Sequence, residues 1–259
     1  MEMIEKIRQK AAAASLIFGF FVLWELLCLG LDISEIVLPR PTQIMDTLIS
    51  RLPALMPHVL QTLSTTLAGF SLGVIAGVTI GAIVGSSRVA YDTAYPLLVG
   101  FSSIPKVAVV PIFVLWFGSG TVPAVLTSFV ICIFPIVVNV ATGLATTEPE
   151  LEDVLKALGA KRREILRNVG LPRAMPYFFA SLKVAITLAF VGTVLAETIA
   201  SNRGIGNVMM IATSTFDVPL VFAGLFLLAF LGVTLYVIFS LIERNVAGWA
   251  MRKSDLPNA

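Results

Sequence analysis

Side chains able to do chemistry are few in this sequence, and their settings say more than their number. His58 is the single histidine, and no cysteine or carboxylate stands near it at ligand spacing, so it reads as a hydrogen-bonded histidine at an interface. Cys28 and Cys132 each lie inside a long apolar stretch, where a free thiol behaves as a small hydrophobe. Two such cysteines make neither a disulfide framework nor a metal site. No G-x-x-x-x-G-K-[ST] phosphate loop occurs, and the sequence lacks a histidine–carboxylate cluster, so no catalytic constellation can be assembled. The chain is not expected to be an enzyme.

What remains are ionisable and polar groups set inside apolar stretches, which are costly in lipid and hence candidates for function. Lys106 falls ~16 Å into the stretch that opens near Tyr95, at 1.5 Å per residue. It is flanked by Ser102, Ser103 and Pro105, where a kink would open backbone groups to a cavity. It is thus the best-placed countercharge if an anionic solute crosses here, its alternative being a lysine at the surface. Asn139 is the amide deep in the next stretch and either lines the same pathway or bonds between helices. Glu197 lies ~31 Å beyond Pro176, near the far interface, where it lines an outer gate or caps a neighbouring helix. Glu25 is read as bonding within the bundle, and Lys183, ~10 Å beyond Pro176, as reaching the near interface by snorkelling.

The elements that position these groups follow from composition. Hydrophobic residues make up 57% of the chain and charged ones 13%, too apolar a balance for a water-soluble core. Stretches of spanning length run over about Ala12–Leu31, Val59–Val84, Tyr95–Phe117, Val122–Leu144, Pro176–Ala200 and Val218–Ile242. The first is too long for a secretory signal core. An all-α, polytopic membrane protein of about six transmembrane helices is therefore expected, as a single transmembrane domain over 1–259. Lys6, Arg8, Lys10, Arg88, the cluster from Lys156 to Arg173 and the tail residues Arg244, Arg252 and Lys253 share one side. Only Arg40, Arg51 and Arg203 lie on the other. This bias puts both termini in the cytoplasm. A net charge of +2 without a basic, aromatic-interleaved run gives no reason to expect nucleic-acid binding.

Two patterns stand out against this background. Gly69, Gly73, Gly77, Gly81 and Gly85 recur every four residues, a small-residue stripe that lets helix backbones approach closely within the bundle. Each step of four turns ~40° past a full turn, so the stripe is expected to serve more than one neighbour. The second pattern is the cytoplasmic segment at about 147–172. Thr147-Glu148-Pro149-Glu150 fits a capping box with proline in the first turn. The helix it opens carries Leu151, Val154, Leu155 and Leu158 on one face and stops at Gly159, which suits a left-handed C-terminal position. A second helix is expected from Lys161 to Val169, ending before Leu171-Pro172. Such a helix–turn–helix is shaped to dock into a groove on a partner.

The order Asp153-Val154-Leu155, three residues, Gly159, nine residues, Val169-Gly170-Leu171-Pro172 resembles the EAA signature of ABC-importer permeases, with Asp153 in the glutamate position and larger side chains in the alanine positions. Leu38-Pro39-Arg40-Pro41-Thr42, Leu115-Trp116-Phe117-Gly118 and Glu243-Arg244 also look like this family, most like its sulfonate, taurine and nitrate branch, which contains permeases for pyrimidine vitamin precursors as well. The resemblance implies a type I importer fold in the bacterial inner membrane, paired with a second permease copy. It also implies two ATP-binding subunits, which would hold ATP and magnesium, and an extracytoplasmic binding protein. Coupling to the ATPases would fall on Glu152, Asp153, Leu155, Gly159, Leu171 and Pro172, and the solute would be a small anion or, alternatively, a pyrimidine vitamin precursor. An ion-coupled secondary transporter is the competing class. It would need paired ionisable residues or broken repeats near the midplane, and neither is visible.

Overall fold

The computed structural model describes residues 2–145, 154–155 and 157–251. They form long helices: α1 (Glu2–Gly30), α2 (Pro41–Gly85), α3 (Arg88–Ser102), α4 (Val110–Phe117), α5 (Thr121–Ala145), α6 (Leu171–Ala200), α7 (Ile205–Ser214) and α8 (Val218–Met251). Five segments are individually long and apolar enough to cross a membrane, and α3 and α4 together, bent by 76° at their junction, supply a sixth. Large apolar side chains such as Leu16, Phe18, Leu115 and Phe230 stand exposed, as a lipid-facing surface requires and a water-facing one would not tolerate at this density.

The glycine stripe organises the bundle. A β-carbon added at Gly69 would lie 2.5 Å from Ser128 Cβ, at Gly77 2.8 Å from Ile136 Cβ, at Gly81 2.8 Å from Val140 Cβ and at Gly85 2.9 Å from Leu144 Cβ, while one at Gly73 would overlap Cys132 Sγ. Both series rise together in steps of four, so α2 and α5 run parallel. The stripe serves one neighbour, not several as its drift suggested. The reason is that α5 offers a matching i, i+4 row. Such a row is inclined ~26° to its own axis, and two inclined rows stay in contact along their length when the axes cross.

Parallel packing also decides the topology between them. Had the α3–α4 pair dipped into the membrane and returned, α5 would run antiparallel to α2. It therefore crosses, and the expected six spans result. Ser87 opens α3, its hydroxyl accepting from Ala90 N at 3.3 Å. The break follows from Pro105, which disfavours the α region at Ile104. A 3₁₀ turn, Lys106–Val109, restarts the helix.

Two of the boundaries that differ from expectation shape the bundle. α2 begins at Pro41, not Val59, and its 45 residues extend ~68 Å at 1.5 Å per residue, more than twice a ~30 Å hydrocarbon core. Its first turn is held by Glu25 of α1, which accepts from Thr42 N at 3.1 Å and Thr42 Oγ1 at 2.8 Å. That agrees with a bonding role for Glu25 inside the bundle. At the other boundary, the helix after Gly159 does not stop before Leu171-Pro172. A helical turn, Arg162–Ile165, passes through a π turn, Leu166–Gly170, directly into α6. Pro172 sits just past the π turn, where it has no N–H to give the turn before it.

Candidate functional site

Three places gather the polar residues. The first is the connection between α5 and α6. Val154 and Leu155 are helical, and Gly159 has φ +84°. Leu158 N donates to Val154 O at 3.1 Å and Ala160 N to Leu155 O at 3.0 Å, the latter being the six-to-one bond of a Schellman turn closed on a left-handed glycine. Lys161 then opens the next turn, its amide donating to Glu164 Oε2 at 2.8 Å. Val154, Leu158 and Leu171 are exposed, whereas Ile165 is buried against the bundle. The result is an exposed apolar knuckle joined by a tight turn at Gly159 to the helical segment that starts at Arg162 and runs into α6. Glu152 and Asp153 lie outside the described residues, as does the Thr147–Glu150 box.

The second place is a cavity of ≈ 440 Å³ at the break in the third span, walled in part by Lys106, Val107, Ile131, Phe134, Pro135 and Asn139. Lys106 Nζ donates to Ser102 O at 2.8 Å and stands 4.9 Å from the centroid of the Phe134 ring, about half-way along α5. Asn139 Nδ2 donates to Pro135 O at 2.8 Å. Pro135 has no N–H to give the Ile131 carbonyl, so the α5 backbone is loosened where it meets the cavity. Lys106 and Asn139 are thus brought together. Ser103 instead donates to Val99 O at 3.2 Å within its own helix, and it is Ser102 that lines the cavity.

The third place is the start of α7. Gly204 N donates to His58 Nδ1 at 3.1 Å, Ile205 N to Thr62 Oγ1 at 3.0 Å and Gly206 N to Glu197 Oε2 at 3.2 Å. Thr62 Oγ1 in turn donates to Glu197 Oε2 at 2.8 Å. Side chains of α2 and α6 therefore satisfy the free amides that every helix start leaves open. Of the two roles open to Glu197, capping a neighbouring helix is the one its contacts show. Its carboxylate, 1% exposed, fits only because residue 204 is glycine at φ +109°; a β-carbon there would land on Glu197 Cδ. Glu197 Oε1 has no hydrogen-bond partner among the described residues.

Sequence reasoning missed one pairing. Lys183 forms a 2.5 Å ion pair with Glu243 of α8, both largely buried. Local spacing holds no sign of a partner on another helix.

Residues 69–248 match the family described as the binding-protein-dependent transport system inner membrane component. The chain belongs to that family. Among relatives of this permease, the riboflavin transport system permease protein of Chloroflexus aurantiacus is 35% identical over 215 residues, covering 82% of this chain and 80% of the relative. The formylaminopyrimidine transport permease protein of Halalkalibacterium halodurans is 30% identical over 233 residues, covering 90% and 93%. A putative aliphatic sulfonates transport permease protein of Bacillus subtilis is 29% identical over 219 residues, covering 84% and 79%. The fold is that of the inward-facing MetNI methionine ABC transporter, which aligns with a TM-score of 0.65 at 21% identity, covering 76% of this chain and 98% of that one. The permease is therefore an integral inner-membrane, type I ABC importer subunit. It is not itself an enzyme. Partnership with an ATPase and a binding protein comes with that membership.

Proposed function

We propose that this permease works as one of two identical copies and takes its stroke from a pair of ATP-binding subunits through residues 147–172. The observation that carries this reading is the Schellman turn at Gly159. It holds an exposed apolar knuckle against the helical turn that starts at Arg162 and runs into α6, so a push on Val154 and Leu158 is delivered through a short, fixed turn to a spanning segment. Glu152, Asp153, Leu155, Leu171 and Pro172 belong to the same docking unit, and ATP with magnesium is held by the partner chains. Both termini are cytoplasmic, in keeping with the positive-charge bias, and the binding protein docks on the opposite face, where His58, Glu197 and α7 lie. Two-state motion of the bundle, biased by nucleotide, then alternates access to the solute.

For the solute we infer a ring-bearing vitamin or precursor of the flavin or pyrimidine kind, not the sulfonate or nitrate favoured by the sequence motifs alone. The support is the higher identity to the riboflavin and formylaminopyrimidine permeases than to the sulfonate one. A photo-crosslinking residue at position 158 tests the coupling assignment: it should trap the ATPase subunit, whereas one at lipid-facing Phe230 should not. Equal trapping from both positions, or none from position 158 in an assembled complex, would overturn it.

A further inference from the structure

The cavity at the broken third span has a composition that selects among solutes. Apart from Ser102, Lys106 and Asn139 its walls are apolar, and Phe134 supplies an aromatic ring. Both nitrogen donors in it already serve backbone carbonyls, Lys106 Nζ that of Ser102 and Asn139 Nδ2 that of Pro135. A small oxyanion needs several convergent donors, and it would meet here one ammonium and one carboxamide, each with part of its donor capacity already turned to a carbonyl. A flat ring with a few polar edge atoms has the opposite requirement: apolar walls, a π face and one or two orienting groups.

We propose that this cavity is a transit site for a planar nitrogen-heteroaromatic solute, with Phe134 as its stacking surface and Lys106 and Asn139 as the groups that read its polar edge. In the empty site the Lys106 ammonium covers the ring, 4.9 Å from its centroid, an attraction of ring quadrupole for cation. The arriving solute takes over that face, offset-stacked as aromatic pairs prefer, and the displaced ammonium donates to a ring nitrogen or carbonyl at the edge. Asn139 keeps its carboxamide oxygen for a donor on the solute. The ≈ 440 Å³ volume lies in the range of small-molecule sites, ~300–1,000 Å³. The bend at Ser103–Pro105 would let the site open and close as α4 moves against α5. This proposal rests on the ring-solute reading given above.

The test uses the permease–ATPase complex in nanodiscs with a Val138→Cys substitution, since Val138 lines the cavity while Cys28 and Cys132 are buried. Riboflavin or 4-aminopyrimidine should slow maleimide alkylation of position 138 about threefold or more, and taurine should not. In proteoliposomes with saturating binding protein, Phe134→Leu should lower uptake of the ring probe about tenfold, Phe134→Tyr should retain it within about twofold, and Lys106→Met should fall between. Basal ATP hydrolysis should change by less than twofold in all three. Wild-type uptake of a ring probe without protection at position 138, or with Phe134→Leu equal to wild type, overturns the site and leaves the solute class standing. Wild-type uptake of taurine and neither ring probe overturns the solute class itself, and the site with it.

Discussion

Gly159 offers a graded perturbation of the proposed coupling segment. Its φ of +84° is a conformation that costs an L-residue about 1–2 kcal/mol, and a β-carbon placed there meets no heavy atom within 4 Å among the described residues. Substitution at this site therefore acts through the backbone alone, with no steric contribution to confuse the order. Asparagine visits the left-handed region with little penalty, alanine bears the ordinary cost, and valine, branched at Cβ, bears the most. A loss of about 1–2 kcal/mol lowers the population of the closed turn against its alternatives by roughly 5–30-fold. The bond from Ala160 N to Leu155 O is lost with it, and the knuckle of Val154 and Leu158 then no longer moves rigidly with α6. The assay is the ratio of solute transported to ATP hydrolysed by the reconstituted complex, with membrane levels and complex yield measured in parallel. Gly159→Asn should keep the ratio within about twofold of wild type, Gly159→Ala should reduce it several-fold and Gly159→Val should reduce it most. Equal ratios for all three, or asparagine as the worst of them, would refute the reasoning.

Other perturbations probe the bundle that receives the stroke. Gly73→Ala forces a methyl onto Cys132 Sγ and should destabilise by about 1–3 kcal/mol; adding Cys132→Ala should recover most of it, whereas additive losses in thermal unfolding would contradict the parallel α2–α5 register. Glu197→Ala leaves Gly206 N and the Thr62 hydroxyl without their acceptor, at about 1–3 kcal/mol each, while Glu197→Gln retains an acceptor. Thermal unfolding that ranks glutamine with alanine would count against the capping role. Lys183→Met strands Glu243 and should cost about 3–5 kcal/mol, against near-neutrality for Lys183→Met with Glu243→Leu. Equal stability of the single and double variants, read by denaturation in detergent, would mean that the pair is not formed.

Much of this architecture is legible in the sequence because lipid imposes a single strong rule on composition. Apolar runs of spanning length and the asymmetry of lysine and arginine are one-dimensional signals, and six spans follow from them. What the sequence conceals is which helices meet. The drift of the glycine stripe holds for one straight helix beside another, and the contact stays on one neighbour because the inclined row of α5, from Ser128 to Leu144, follows it. The partner of Lys183 is hidden, since Glu243 lies on a different helix and only folding brings it near. Depth alone leaves Glu197 open to either a gate or a cap. The deciding signal, Gly204-Ile205-Gly206 a few residues on, was present but carries meaning only once a carboxylate needs room against the backbone. Local turn chemistry fared better: glycine at 159 implied the left-handed position it occupies. Proline at 172 signals a stop by its type alone, yet the helix runs on through it after a π turn.

A stroke delivered from a separate ATPase would make solute movement depend on that chain and on ATP. The most direct measurement is accumulation of radiolabelled riboflavin or 4-aminopyrimidine in proteoliposomes holding the permease, its ATPase and its binding protein. Accumulation should require ATP on the face that bears the 154–172 segment, persist when ionophores dissipate ion gradients, and vanish when the ATPase is omitted. Accumulation that proceeds without the ATPase and collapses with the ion gradient would contradict the account.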